Sequence, residues 1–133
     1  INAGLVGSEM CIRDRVLEPF SKLHDCVLHA SEANYDHTKV RYYHDGDFYE
    51  PHTDNFFQFL AFSYFYREPK RFEGGELFFP KYNYSFTCNN NSLIMMPAWV
   101  EHGVTKVSIK DSDYYDGYGR YAITSFFGNK QTE

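Results

Sequence analysis

Cysteine is scarce in this chain, and the three that it has, Cys11, Cys26 and Cys88, are widely spaced. No two of them form a C-x-x-C pair, so the sequence indicates neither a disulfide framework nor a zinc knuckle. Thiols that stay unpaired are typical of reducing compartments. We therefore expect an intracellular, cytoplasmic protein, in which Cys88 is a buried thiol without a chemical role.

Blocks of positive charge are also missing. The chain carries 13 Lys and Arg against 18 Asp and Glu, which gives a formal net charge of −5. Binding to nucleic-acid phosphates requires clustered cations, so we expect no nucleic-acid partner. The longest apolar run, Phe56–Tyr66, is too short and too interrupted to span a bilayer, so no membrane partner is expected either. Nothing in the sequence indicates the oligomeric state.

Aromatic residues, by contrast, are abundant, since 13 Phe and 12 Tyr bring the aromatic fraction to 20%. Such side chains favour half-buried strands. The sequence contains about eight runs with strand character, and turn signals separate them. They are Lys39–Tyr43, Phe48–His52, Phe56–Tyr66, Glu76–Phe79, Tyr82–Thr87, Ser92–Met96, Val100–Val107 and Arg120–Phe127. Short, evenly spaced strands predict one mainly β domain of sandwich or jelly-roll type.

One helix is expected before these strands. Phe20, Leu23 and Val27 recur at helical spacing, and Pro19 suits a first helical turn. The pattern predicts a helix over Val16–Ala30.

Residues 1–15 have no helical or strand periodicity, and Met10–Asp14 resembles the translation of a transposase adaptor used in sequencing libraries. We expect residues 1–15 to be an assembly artefact or a disordered tail, and we keep them out of the fold prediction.

A candidate metal site begins at the end of the second predicted strand. His52 and Asp54 are two residues apart, and in an extended segment such residues point to the same side. His102, in a later strand, can supply a third ligand. Two histidines and one carboxylate on one face, with open positions opposite, are typical of non-haem Fe(II) oxygenases. A His-x-Asp pair alone is weak evidence, because such pairs also occur by chance.

The segments around these residues strengthen the hypothesis. The sequence contains Arg41–Asn55 with the first two ligands, Phe72–Leu77 with Gly74-Gly75, Pro97–Val104 with His102, and Gly119–Phe127 with Arg120. In this order and spacing they resemble the Fe(II)- and 2-oxoglutarate-dependent dioxygenases, in particular the catalytic domains of prolyl 4-hydroxylases. The resemblance covers about residues 38–128 and implies a double-stranded β-helix, the jelly roll of that family. We expect residues 16–133 to form the dioxygenase domain, with 38–128 as its core.

The resemblance also implies roles for individual residues. His52, Asp54 and His102 match the iron ligands, and Arg120 matches the residue that binds the distal carboxylate of 2-oxoglutarate. The last role suits the chemistry, because an arginine at the start of an apolar strand needs an anionic partner. Further contacts to the co-substrate are expected from Tyr64, Tyr42 and Thr124. If the register of the first strand shifts by one residue, Tyr43 takes the place of Tyr42.

The activity implied is hydroxylation of a C–H bond, coupled to oxidative decarboxylation of 2-oxoglutarate by Fe(II) and O₂, with ascorbate as a possible further cofactor. The substrate is a protein or a small molecule, and a protein prolyl residue is the first candidate by analogy alone. The loop Lys110–Gly119 is rich in tyrosine and either lines the substrate mouth or is simply solvated.

Two alternatives stay open: a non-oxidative, cupin-type metal-binding jelly roll, and an inactive, truncated binding module. The cupin-type protein has no need of a buried Arg120.

Overall fold

The computed structural model describes residues 13–129. Short helical segments come first in this part of the chain, and ten strands follow. The strands are β1 (Tyr35–Tyr43), β2 (Tyr49–His52), β3 (Phe59–Phe65), β4 (Phe72–Glu73), β5 (Leu77–Phe79), β6 (Tyr84–Phe86), β7 (Ser92–Pro97), β8 (His102–Val104), β9 (Ser108–Ile109) and β10 (Arg120–Gly128).

Two four-stranded antiparallel sheets form the body of the domain. The larger sheet has the order β1-β10-β3-β7, and the smaller has the order β2-β8-β5-β6. Their facing surfaces enclose the main core, which includes Leu60 and Phe62 from the larger sheet and Leu77 and Val104 from the smaller one. Two antiparallel sheets that pack in this way are the arrangement of a jelly roll. The predicted fold class, mainly β with an N-terminal helix, is confirmed.

Strand β3 is buried on both faces, as its continuous apolar sequence predicts. Leu60 and Phe62 point into the space between the sheets. The alternate residues Phe59 and Ala61 face the other way and pack in a second core beneath the helical segments. The larger sheet is therefore the middle layer of the domain.

The prediction of one continuous helix over Val16–Ala30 is wrong. The chain forms a π-helical turn at Arg13–Leu17, the short α-helix α1 (Glu18–Ser21) and a 3₁₀ segment at Asp25–Glu32. Pro19 lies in the first turn of α1, as expected, because a proline has no N–H to donate to a preceding turn. Leu23, one of the three apolar residues at helical spacing, is 74% exposed.

Two strands were not predicted. β4 and β9 pair with each other as a separate two-stranded sheet of two residues each. Segments so short have no detectable periodicity. The predicted artefact at residues 1–15 lies outside the described residues, except for 13–15. No helix within the described part of the chain is long and apolar enough to cross a bilayer.

Candidate metal and anion site

The two candidate histidine ligands lie on adjacent strands. β2 and β8 are antiparallel, and His52 is the register partner of His102. Asp54 follows the end of β2, where its backbone N–H donates a hydrogen bond of 2.9 Å to the carbonyl of Ala98. The smaller sheet and this turn thus bring the three side chains together.

The geometry of these side chains suits one metal ion. Asp54 Oδ2 is 3.6 Å from His52 Nε2 and 3.6 Å from His102 Nε2, and the candidate ligand atoms of the three residues lie within 4.8 Å of one another. Ligands about 2 Å from a common ion are separated by ~3–4 Å. His102 is buried, whereas His52 and Asp54 are partly exposed. One side of the site is therefore open for further ligands.

The tautomers of both histidines are set by the backbone. His52 Nδ1 donates to the carbonyl of Glu50 at 2.8 Å, and His102 Nδ1 donates to the carbonyl of Val100 at 2.9 Å. In its neutral form each imidazole consequently directs the lone pair of Nε2 toward Asp54, as metal-bound histidines do. Burial lowers the pKa of His102, which favours the neutral form that a metal requires.

Arg120, the first residue of β10, is the most unusual side chain in the core. It is 2% exposed, and its guanidinium carbon lies 4.6 Å from the ring centroids of both Tyr43 and Tyr64. Among the described residues, neither Nε nor Nη1 has a hydrogen-bond partner. Burying an unpaired cation is costly, so this site is built to receive an anion.

Tyr64 packs against Arg120, and Thr124 lines the same pocket further along β10. Tyr64, on β3, is fully buried, and its hydroxyl has no hydrogen-bond partner among residues 13–129. Burial, more than the neighbouring Cys88, raises the pKa of Tyr64, so the phenol stays protonated and can donate. Thr124, on β10, is also buried and lines the pocket that contains the metal triad and Arg120.

The prediction for Tyr42 needs correction by one residue. Tyr43 is 6% exposed and lines the pocket beside Arg120. Tyr42 points the other way, and its hydroxyl accepts a hydrogen bond from the backbone N–H of Gly119 at 3.0 Å. Adjacent residues of a strand face opposite sides, so Tyr43 is the residue placed to contact a co-substrate.

Gly75 makes room for the arginine. Its φ is +69°, and a Cβ at this position would lie 2.7 Å from Arg120 Cδ and 3.1 Å from Val107 Cγ2. Only a glycine combines this positive φ with so close an approach to a neighbouring side chain.

Sequence reasoning missed three features of the pocket. Lys39 and Arg41 line it from β1, and once Tyr43 is placed inward, strand alternation assigns both to the same face. Cys88 is buried, as expected, but its sulfur lies 3.8 Å from Arg120 Nη2. The tyrosines of the Lys110–Gly119 loop do not line this pocket.

The arrangement combines a site for one metal ion with a buried cation in the same pocket. Such a site can hold an anionic co-substrate between the metal and Arg120. The partial exposure of His52 and Asp54 leaves the triad accessible from one side.

Comparison with known proteins gives a family match. The model of the 2OG-Fe(II) oxygenase superfamily matches residues 38–128. A search of curated protein sequences gave no match.

Three solved structures show the same fold at low sequence identity. A truncated viral collagen prolyl hydroxylase from Paramecium bursaria Chlorella virus-1 has 13% identity, a TM-score of 0.59, and alignment over 90% of this chain. A prolyl-4-hydroxylase from Pseudomonas putida has 18% identity, a TM-score of 0.56 and 88% coverage. An oxidoreductase of the 2OG-Fe(II) oxygenase family from Burkholderia pseudomallei has 13% identity, a TM-score of 0.56 and 80% coverage. The chain spans 68%, 65% and 53% of their respective lengths.

Proposed function

Because the chain belongs to the 2OG-Fe(II) oxygenase superfamily, we propose that it is an Fe(II)- and 2-oxoglutarate-dependent dioxygenase that hydroxylates a C–H bond. The observation that carries the proposal is the buried Arg120 without an anionic partner among the described residues, in the same pocket as the His52, Asp54 and His102 triad. A metal site alone is compatible with many reactions. A buried cation beside it specifies an anionic co-substrate.

His52, Asp54 and His102 would hold Fe(II) in this proposal. The two backbone carbonyls that accept from the histidines orient the imidazole rings, and Asp54 neutralises part of the metal charge. When bound, iron with 2-oxoglutarate and O₂ supplies the oxidising power for hydroxylation and yields succinate and CO₂.

The far end of 2-oxoglutarate would be bound by Arg120. A guanidinium binds a carboxylate through charge-assisted N–H hydrogen bonds, and Nε and Nη1 of Arg120 have no partner in the described structure, so both are available to donate. Tyr43 and Tyr64 pack against the guanidinium, and the Tyr64 hydroxyl can donate a further hydrogen bond. Thr124 lines the same pocket and can do the same.

A prolyl residue in a protein is the first substrate to test, since two of the three similar structures are prolyl hydroxylases by name. Two other expectations stay predictions: that ascorbate is a further cofactor, and that the protein is cytoplasmic.

Product analysis tests the proposal. The full chain, incubated with Fe(II), 2-oxoglutarate and O₂ and with a proline-containing peptide, should release succinate and add one oxygen atom to the peptide. Asp54→Asn should reduce succinate release by ~100-fold or more, whereas Asp36→Asn, an exposed change on β1, should leave it unchanged. Equal succinate release by the Asp54 variant and the unmodified chain would rule out the proposed site.

A further inference from the structure

Strand β1 brings two more cations into the metal pocket. Lys39, Arg41 and Tyr43 alternate along β1, and all three line the pocket that contains the metal triad. Their register partners on β10 are Thr124, Ala122 and Arg120 in that order. Arg41 therefore lies nearer the Arg120 end of the pocket and is partly exposed, whereas Lys39 lies further out and is exposed.

Each of these two side chains packs against an aromatic ring that lines the pocket. The Arg41 guanidinium lies 4.9 Å from the Tyr49 ring centroid, and the Tyr49 ring lies 4.5 Å from the ring of His52. One aromatic ring thus separates Arg41 from a metal ligand. Lys39 Nζ lies 5.2 Å from the ring of Phe126, which also lines the pocket.

Among residues 13–129, neither cation has an acidic partner. In the described part of the chain, no carboxylate lies within ion-pair distance of Lys39 or Arg41, although acidic residues outnumber basic ones, 18 to 13. In an acidic protein, two neighbouring cations without acidic partners at the opening of a pocket attract an anionic ligand.

The charges of the filled pocket also leave these two cations uncompensated. The charged residues that line it are Lys39, Arg41, Arg120 and Asp54. A divalent metal and a doubly negative 2-oxoglutarate cancel each other, and Asp54 offsets Arg120. The charges of Lys39 and Arg41 remain, in the same pocket as the triad.

We propose that Lys39 and Arg41 bind a carboxylate of the substrate to be hydroxylated, so that the substrate class is carboxylate-bearing. This inference rests on the proposed function and deepens it. An arginine fork and a lysine ammonium on one strand face can bind a single carboxylate together. Two cations are too few for a polyanion such as nucleic acid.

Binding of matched probes tests the inference without turnover. The full chain is loaded with Mn(II), saturated with 2-oxoglutarate, and titrated with N-acetyl-L-proline or N-acetyl-L-prolinamide. Paramagnetic relaxation of the probe protons reports binding close to the metal. A second pair of capped peptides, with Pro-Glu or Pro-Gln, distinguishes a side-chain carboxylate from a terminal one.

At least one acid probe should bind about tenfold more tightly than its amide partner. The double variant Lys39→Gln with Arg41→Gln should remove that preference, and Lys81→Gln, an exposed change outside the pocket, should keep it. Equal binding of every acid and its amide, or a preference that survives in the double variant, would overturn the inference.

The same double variant separates this inference from the proposed function. Its affinity for 2-oxoglutarate, read from the visible band of the Fe(II) complex, should not change. A loss of that affinity would assign Lys39 and Arg41 to the co-substrate and contradict the inference. Absence of the band in the unmodified chain would contradict the proposed function instead.

Discussion

At the residue scale, the buried Arg120 is the residue on which the proposed function depends most, because the cupin-type alternative has no need of it. Its role was predicted from the family resemblance, and the need of a charge at the start of an apolar strand for a partner agreed with it. The metal ligands were also assigned by the resemblance, because a His-x-Asp pair on one face of a strand is weak evidence by itself. The error at Tyr42 came from register, because Tyr42 and Tyr43 are chemically alike and only the pairing of β1 with β10 tells them apart.

Replacing the buried cation should separate stability from ligand binding. In Arg120→Met, the metal-loaded protein without 2-oxoglutarate should melt at least as high as the unmodified chain, because an unpaired buried charge is removed. A hundredfold excess of 2-oxoglutarate over its Kd should raise the Tm of the unmodified chain by roughly 10 °C, and the variant should lose this shift. Calorimetry of the Mn(II)-loaded proteins, with and without 2-oxoglutarate, measures these melting temperatures. If 2-oxoglutarate raised the Tm of Arg120→Met as much as that of the unmodified chain, the role of Arg120 would be contradicted. Arg67→Gln, an exposed change, is the control and should keep the full rise in Tm.

The corrected tyrosine assignment predicts opposite effects for two neighbouring substitutions. Tyr43→Phe should lower the affinity for 2-oxoglutarate about tenfold, because it removes a hydroxyl beside Arg120. Tyr42→Phe should leave this affinity unchanged and cost about 1 kcal/mol of stability, because the N–H of Gly119 loses its acceptor. Binding titration and urea unfolding of both variants test the pair. The reverse pattern would restore the original assignment of Tyr42.

At the element scale, a clamp outside the pocket connects the turn after β1 with β9 and the Lys110–Gly119 loop. Asp45 accepts hydrogen bonds from the Tyr114 hydroxyl at 2.6 Å and from the Ile109 backbone N–H at 2.8 Å. The loop was predicted as a solvated segment or a substrate mouth. Instead Tyr114 anchors it, while Tyr115 is 90% exposed. The sequence of the Lys110–Gly119 loop has no periodicity from which the contact between Tyr114 and Asp45 could be predicted.

The clamp predicts a pH dependence of stability. The hydrogen bond from Tyr114, followed by that from Ile109, lowers the pKa of Asp45, and the same contact raises the pKa of Tyr114 to about 12. A carboxyl group with a lowered folded-state pKa stabilises the fold above its unfolded pKa of ~3.9, and this contribution is lost as the pH falls through the folded pKa.

Tyr114→Phe should therefore raise the pKa of Asp45 toward its ordinary value. The variant should be less stable than the unmodified chain at neutral pH, and the two stabilities should converge in acid. NMR titration of the Asp45 carboxyl and unfolding curves across acidic pH measure these effects. An unchanged Asp45 pKa in the variant would show that the Tyr114 contact does not form in solution.

At the scale of the whole molecule, the site lies where the two sheets face each other. β2 and β8 of the smaller sheet supply the histidines, and β10 of the larger sheet supplies Arg120 across the core. The sequence predicted most of the strands and, with the family resemblance, the jelly roll, but not which strands pair with each other. It was insufficient for the helical segments and for β4 and β9, whose lengths are fixed by tertiary packing instead of by a repeating pattern.

The central claim is that one pocket binds Fe(II) and 2-oxoglutarate together. Anaerobic titration of the full chain with Fe(II) and then 2-oxoglutarate tests it most directly. The account predicts a weak visible charge-transfer band that requires both additions, saturates at equimolar metal, and is lost in Arg120→Met at the same concentrations. A folded, metal-loaded protein that gives no band at saturating 2-oxoglutarate would contradict it.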